Sequence, residues 1–192
     1  MILPTLRHTR VIGLGYKARQ GKDEAAKILE RNAPGRVRRF AFSDNIACLA
    51  RVTGMMDARD PSILQWLGVE RRREDPTVWL RTLIWSIADW DEDASEPQIA
   101  MVCGMRYPDE ASMIAGVGGA IANVVRVLPD GDRYVATDRD PNHITETALD
   151  GYHFKHTIVN PDGRLDEFEV NVLAFARLVA PEIFGHASVS AS

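Results

Sequence analysis

The chain of 192 residues carries 23 lysines and arginines against 27 aspartates and glutamates, a formal net charge of −4, and its pI lies near 5.7. That balance argues against an extended nucleic-acid surface; it leaves room for a local basic groove and suits a small anionic ligand better. At 45% apolar and 26% charged residues the chain reads as one globular domain able to bury a core, and its two cysteines, Cys48 and Cys103, exclude a disulfide framework or a Cys-rich zinc site.

The opening residues, Met1-Ile-Leu-Pro-Thr-Leu-Arg-His8, lack the apolar centre of a secretory leader, and no run approaches membrane-spanning length. The expected setting is a reducing cytoplasm, with both cysteines in the core as thiols. The apolar run 11–14 then predicts a strand. It feeds Gly15-Tyr16-Lys17-Ala18-Arg19-Gln20-Gly21-Lys22-Asp23-Glu24, from which a helical pattern departs through Ala25, Ala26, Ile28 and Leu29.

A strand, a tight loop and a helix in that order aim backbone N–H groups and a helix N-terminus at one point, and Lys22 adds an ammonium there. The predicted role is a nucleotide phosphate cradle. With four residues between it and the Gly-Lys pair, the first glycine of the usual pattern falls on Tyr16, with Gly15 one place earlier, and Asp23 stands where a Ser or Thr usually holds magnesium. Two like unit charges about 4 Å apart repel by roughly 1 kcal/mol in water and about 4 at a protein surface. Asp23 therefore needs screening, for which Lys17, Arg19, Lys22 and a bound Mg²⁺ are the available cations. The competing reading is a solvated turn opening a helix, where Asp23 and Glu24 are favoured by the helix dipole alone.

Residues 32–35 close the first helix, and 37–42 alternate as a short strand that delivers Ser43 and Asp44 to a helix start. Ligands of open α/β sheets collect at the carboxyl ends of strands, so Asp44 is read either as a ligand contact beside the loop or as a plain N-cap. A helix follows over 45–53 with Gly54 as its stop. Asp60-Pro61 opens another, over 62–67, with Gly68 as a C-cap, and Arg71-Arg72-Arg73 form a charge run that is either solvated or substrate-facing. Asp75-Pro76 reads as N-cap and first helical residue of a helix whose Trp79, Leu83, Ile87 and Trp90 share a face. Trp79 is then either core or a base-stacking platform.

Residues 89–97 read as a solvated acidic loop, 98–103 as a buried parallel strand, and 104–111 as a second strand-to-helix switch carrying Arg106. Gly116 to Gly119 end that helix and 121–127 form a fourth strand. The polar stretch 128–143, with Arg133, Arg139 and His143, has the composition of a lid. His143 is either a turn residue or a catalyst. A short helix over 145–149, a strand over 156–159, a turn at 160–163 and a long amphipathic helix to Val179 complete the pattern, and 185–192 reads as a frayed tail. Alternating strands and helices predict an α/β fold with a three-layer parallel sheet.

Taken in order, Gly21-Lys22-Asp23, Phe40-Ala-Phe-Ser-Asp44, Leu64-Gln-Trp-Leu-Gly68 with Trp79, Arg106-Tyr-Pro-Asp-Glu-Ala111 and His143-Ile-Thr-Glu146 resemble the deoxynucleoside monophosphate kinases of tailed phages. These are a branch of the P-loop nucleoside monophosphate kinase fold, and the likeness runs from about Arg10 to Val179. The resemblance implies γ-phosphoryl transfer from ATP, with Mg²⁺, to a deoxynucleoside monophosphate, and a homodimer. It implies that Gly15, Arg19, Gly21, Lys22 and Asp23 hold the ATP phosphates and metal, with Asp23 toward the metal; by their place in the loop, Lys17 and Glu24 are read as further cofactor-binding residues. By position, Asp44, Arg71, Trp79 and Arg106 would meet the acceptor, with Arg133 and Arg139 in the lid.

Lys22, Arg19 and Arg139 are the expected catalytic cations. Two departures stand out: Glu24 replaces the threonine of many relatives, and Gly104 stands where relatives often carry an aspartate at the third strand tip, a role Asp109 or Glu110 could take. Two other functions share these features, a kinase for a hydroxymethylated base within DNA and a non-catalytic nucleotide-binding module.

Overall fold

A computed structural model describes residues 2–55 and 60–185; the expected tail beyond Gly185 lies outside the described residues. Five strands, β1 (Thr9–Gly15), β2 (Val37–Ala41), β3 (Gln98–Met105), β4 (Ala120–Val127) and β5 (His156–Pro161), form one sheet in the order β2-β3-β1-β4-β5. Every pairing in it is parallel. The central strands β1 and β3 are apolar and buried on both faces because helices cover both sides. This is the α/β arrangement with a parallel sheet that the alternating pattern predicts.

On one face α1 (Lys22–Asn32) and α7 (Leu165–Val179) pack Ile28, Leu29, Phe168 and Val172 against Ile12, Leu14 and Ile99. On the other, α4 (Val78–Glu92) and α5 (Pro108–Gly116) pack Leu83, Ile84, Ile87 and Ile114 against Val11, Ala100 and Val102. Burying such side chains contributes roughly 1.5–3 kcal/mol each before the entropy of ordering them is charged. The helices α2 (Phe42–Val52) and α3 (Pro61–Glu74) stand beside α4. The small helices α6 (Ile144–Thr147) and α8 (Pro181–Phe184) complete the chain.

Several boundaries differ from the sequence reading for identifiable reasons. Gly68 does not end its helix: α3 continues to Glu74, and Gly68 serves packing, since a Cβ there would lie 3.2 Å from Ile46 Cδ1 on α2. Asp75 and Pro76 precede α4 instead of opening it; Asp75 takes the Thr77 N–H at 2.9 Å, and Thr77 is the N-cap. Phe42 already belongs to α2, whose N-cap is Ala41 with no side-chain bond, so Asp44 is not the N-cap.

The expected loop 89–97 is not wholly solvated, and its first four residues still belong to α4. Asp91 is 5% exposed, and its carboxylate takes the backbone N–H groups of Arg7, His8 and Thr9 at 2.8, 2.9 and 2.6 Å, tying the chain's start to α4. Cys103 is buried as expected, whereas Cys48 is exposed on α2. Leu165 opens α7 on its solvent side at 53% exposure, outside the predicted stripe.

Candidate functional site

The strand ends of β2 and β3, the loop after β1 and the first turn of α1 line a cavity of about 380 Å³. Its lining includes the cationic side chains Arg19, Lys22, Arg39, Arg106 and Arg139, with Asp23 as the carboxylate. For a chain of net charge −4 this is a local reversal of sign, and it focuses attraction on an anion.

The loop that forms one wall has a strained, tightly specified backbone. Gly21 has φ +104, and a Cβ there would lie 2.5 Å from Asn160 Nδ2 and 3.3 Å from Phe168 Cε1. Asn160 donates that N–H to the Gln20 carbonyl at 2.9 Å. Arg19 has φ 58, the left-handed region entered here by a residue other than glycine. Gly15 keeps the strand end clear of Phe154, whose Cε1 would be 2.9 Å from a Cβ. Tyr16, at the place of a usual loop glycine, is buried, stacks on Phe154 at 5.6 Å and donates its hydroxyl to Asp150 at 2.8 Å. It is a peg that fastens the loop to the segment before β5.

Lys22 points inward at 8% exposure, and its ammonium donates to the Lys17 carbonyl across the loop. Burial pushes it down from 10.5 to about 7, and the Arg106 guanidinium adds to that effect. Cys103 borders the same cavity with a thiol that burial raises to about 12, which rules it out as a thiolate nucleophile near neutrality. Asp23 is 74% exposed with Arg39 at 3.4 Å, and Arg39 also reaches Asp44 at 3.0 Å. Lys17 turns to Asp150 at 2.6 Å, and Arg19 to Asp138 at 2.7 Å.

A second cavity of about 200 Å³ opens beside the first. Phe42, Ile46, Leu64, Val69 and Trp79 give it an apolar wall, Gln65 and Tyr107 polar edges, and Ser43, Cys103, Gly104, Arg106 and Arg139 border both cavities. An apolar slot joined to a cationic mouth is a shape for a ligand with a flat apolar body and an anionic end. Trp79 is 4% exposed and donates its indole N–H to the Gly68 carbonyl at 3.0 Å, so it forms the floor and is locked there.

Some expected residues are not gathered. Arg71 is directed to Glu74 at 2.7 Å on the outside of α3; its neighbour Arg72 faces the apolar cavity instead. Arg72 is held by Asp109 at 2.6 Å and Glu110 at 2.7 Å. Glu24 lies on the outer side of α1 with Lys27 at 3.4 Å and Arg31 at 3.7 Å, away from the cavity. Neither Asp109 nor Glu110 stands in for an aspartate at Gly104: besides gripping Arg72, Glu110 takes the Arg106 and Tyr107 N–H groups at 2.6 and 3.1 Å. His143 caps α6 through Nδ1, 2.8 Å from Thr145 Oγ1, a turn residue.

The segment 128–143, expected to be a lid, folds back at once, with Val127 bridging to Arg133, and Arg133 lies over the Tyr16 ring at 5.5 Å. Arg139 reaches Asp138 at 3.1 Å and Glu146 at 3.7 Å. Glu146 is the residue that the sequence reading underused. It is 4% exposed, and its carboxylate takes the Ala18 N–H of the loop at 2.8 Å and Arg106 Nη1 at 2.6 Å. In the sequence it stands in the segment His143-Ile-Thr-Glu146 just after the polar stretch 128–143, with nothing local to assign it a role.

Among the described residues there is no group of three or more His, Cys, Asp or Glu side chains that could hold a metal ion by themselves. Magnesium is commonly held by one or two carboxylates together with substrate phosphates, and the exposed carboxylate of Asp23 in the cationic cavity fits that donor set. Comparison with known proteins adds no family: no family model matches the chain, and no curated protein matches it significantly.

Proposed function

We propose that the protein is an ATP-dependent kinase that phosphorylates a deoxynucleoside 5'-monophosphate, with the fold of the P-loop nucleoside monophosphate kinases. The observation that carries the reading is that Arg106 and Arg139 border both cavities, the cationic one beside the glycine loop and the apolar one beside Trp79. Donor phosphates belong to the first and the acceptor's base to the second, so the two reacting phosphates meet at the shared arginines.

The reaction makes few covalent demands on the protein. An acceptor phosphate oxygen attacks the γ-phosphorus, the bond to the β,γ-bridging oxygen breaks, and its electron pair leaves with ADP. Because the nucleophile is already an anion, no general base is needed, and the absence of an aspartate at Gly104 is tolerable. The protein must align the two phosphates and offset their charge. Lys22 and the loop N–H groups serve the donor, while the planar guanidinium groups of Arg106 and Arg139 serve the acceptor and the group in transfer. Asp23 would hold Mg²⁺, which supplies further charge neutralisation at the donor phosphates.

A coupled assay for ADP release with ATP, Mg²⁺ and each deoxynucleoside monophosphate in turn tests the proposal. Turnover with a monophosphate and none with hydroxymethylated duplex DNA supports it. Turnover only with the DNA transfers the activity to the modified base. ATP binding without turnover on any acceptor reduces the protein to a nucleotide-binding module.

A further inference from the structure

Glu146 is a buried carboxylate placed where three distant parts of the chain converge. One oxygen takes the Ala18 N–H of the glycine loop at 2.8 Å, across 128 residues of sequence. The other takes Arg106 Nη1 from the tip of β3 at 2.6 Å and lies 3.7 Å from Arg139 Nη1 of the lid. Its own carbonyl accepts the Lys17 ammonium at 2.9 Å.

A carboxylate at 5% side-chain exposure is costly unless charged partners and hydrogen bonds meet both of its oxygens. Here both oxygens are met, and the partners are groups that line or border the proposed transfer site. Arg106 is fixed at two levels. Glu110 grips its backbone N–H at 2.6 Å, which sets where the strand tip turns. Its side chain is directed by Glu146 and by the Thr145 carbonyl at 3.2 Å, both acting on Nη1. Among the described residues no hydrogen bond uses its Nε or Nη2. A guanidinium carries five donors in a rigid fork, so anchoring one nitrogen aims the others.

We propose that Glu146 is a positioning residue, which ties the Arg106 guanidinium to the Ala18 turn of the glycine loop and so holds the acceptor's phosphate in line with the donor's. This rests on the kinase reading for its catalytic consequence, but the tie itself is independent of it. A negative charge this close to two phosphates would repel them were it not neutralised; Arg106 and Arg139 do that and present their remaining donors to the ligand. Glu146 thus acts through Arg106 and need not touch the substrate.

Two measurements test the inference. The first is made without ligand: nitrogen-15 NMR of the Ala18 amide and the Arg106 side chain in the wild type and in Glu146→Gln. The tie predicts that both resonances shift and that their solvent exchange accelerates together, while the remaining amides stay in place. An unmoved Arg106 signal overturns it.

The second is kinetic. Glu146→Gln should raise the KM for the acceptor monophosphate and lower kcat, together by about a hundredfold in kcat/KM. ATP affinity should change much less, and Glu146→Asp should recover part of the loss. Adding Glu146→Gln to Arg106→Ala should cost little beyond Arg106→Ala alone. Equal loss of ATP and acceptor affinity, or additive losses, overturns the inference while leaving the kinase reading intact. Wild-type protein with the paired NMR response but no transfer to any monophosphate keeps the tie and removes the kinase.

Discussion

Lys22 and Arg106 line one cavity, and burial together with its neighbour's charge lowers the Lys22 ammonium from 10.5 to about 7. The cavity without a ligand therefore holds an excess of cations that a polyphosphate would relieve. An anion beside Lys22 favours its charged form and raises its pKa again.

Under the kinase proposal, that relationship makes ATP binding proton-linked. At pH 8 the free protein has Lys22 largely neutral, because that pH lies above its depressed value of about 7. Binding ATP should then take up close to one proton. Calorimetric titrations in two buffers of different ionisation enthalpy measure that uptake directly, and Lys22→Met should abolish it. The same logic sets a stability trend: the unfolded chain holds the lysine proton between about 7 and 10.5 when the folded one has lost it, so this group's destabilisation fades as pH rises through that window. Lys22→Ala should leave the fold intact and cost about 10²–10³-fold or more in turnover. A near-normal rate would remove Lys22 from the mechanism.

Gly21 tests whether the loop's shape matters as much as its charge. Its φ of +104 is unfavourable for alanine, and the added methyl would meet Asn160 Nδ2 at 2.5 Å, displacing the amide that holds the Gln20 carbonyl. Strain of this kind costs on the order of 1–3 kcal/mol, enough for a fall in Tm of roughly 5 °C in a domain of this size. Gly21→Ala should show that fall together with loss of ATP binding. An unchanged Tm would mean that the loop is free to move aside.

The glycine loop and the parallel sheet were legible in the sequence because each has a short-range signature: Gly21-Lys22 after an apolar run, and strands such as 98–103 too continuous in apolar character to be half exposed. The misread boundaries came from residues whose role is tertiary. Gly68 looked like a helix stop, yet its missing side chain makes room for Ile46, and its carbonyl receives Trp79. The choice of Arg71 over Arg72 failed because adjacent helical residues point about 100° apart, and only the packing of α3 decides which one meets the cavity. Glu146 stood in the segment His143-Ile-Thr-Glu146, but nothing local gave it a role, since its partners Ala18 and Arg106 lie 128 and 40 residues away.

Glu110 offers a second pH test of the opposite sign. Burial raises it from 4.5 to about 7, outweighing the Arg106 and Tyr107 N–H groups and the Arg72 guanidinium, which favour its ionised form. In the folded protein it keeps a proton that the unfolded chain has already released. Its contribution is complete below about 4.5 and is lost as pH rises to about 7, a change on the order of 3 kcal/mol. Urea midpoints measured from pH 5 to 7 should fall in the wild type and stay flatter in Glu110→Gln, which cannot ionise. Parallel slopes in the two proteins would place the titration elsewhere.

One exposed carboxylate ties the 128–143 segment to the glycine loop. Asp138 accepts from Arg19 Nη2 at 2.7 Å and from Arg139 Nε at 3.1 Å, linking the glycine loop to the 128–143 segment. Those two arginines hold its carboxyl well below the usual range. Its exposure means that salt screens the link, so it serves as a latch rather than a source of stability. Asp138→Asn should leave Tm nearly unchanged while hydrogen exchange across 128–143 speeds up, and high salt should mimic that effect in the wild type. Freed from the latch, Arg139 would reach the cavity less reproducibly, so the variant should also raise the acceptor KM more than it alters ATP affinity. Exchange rates that respond to neither the substitution nor salt would show that the lid is held by Arg133 on Tyr16 instead.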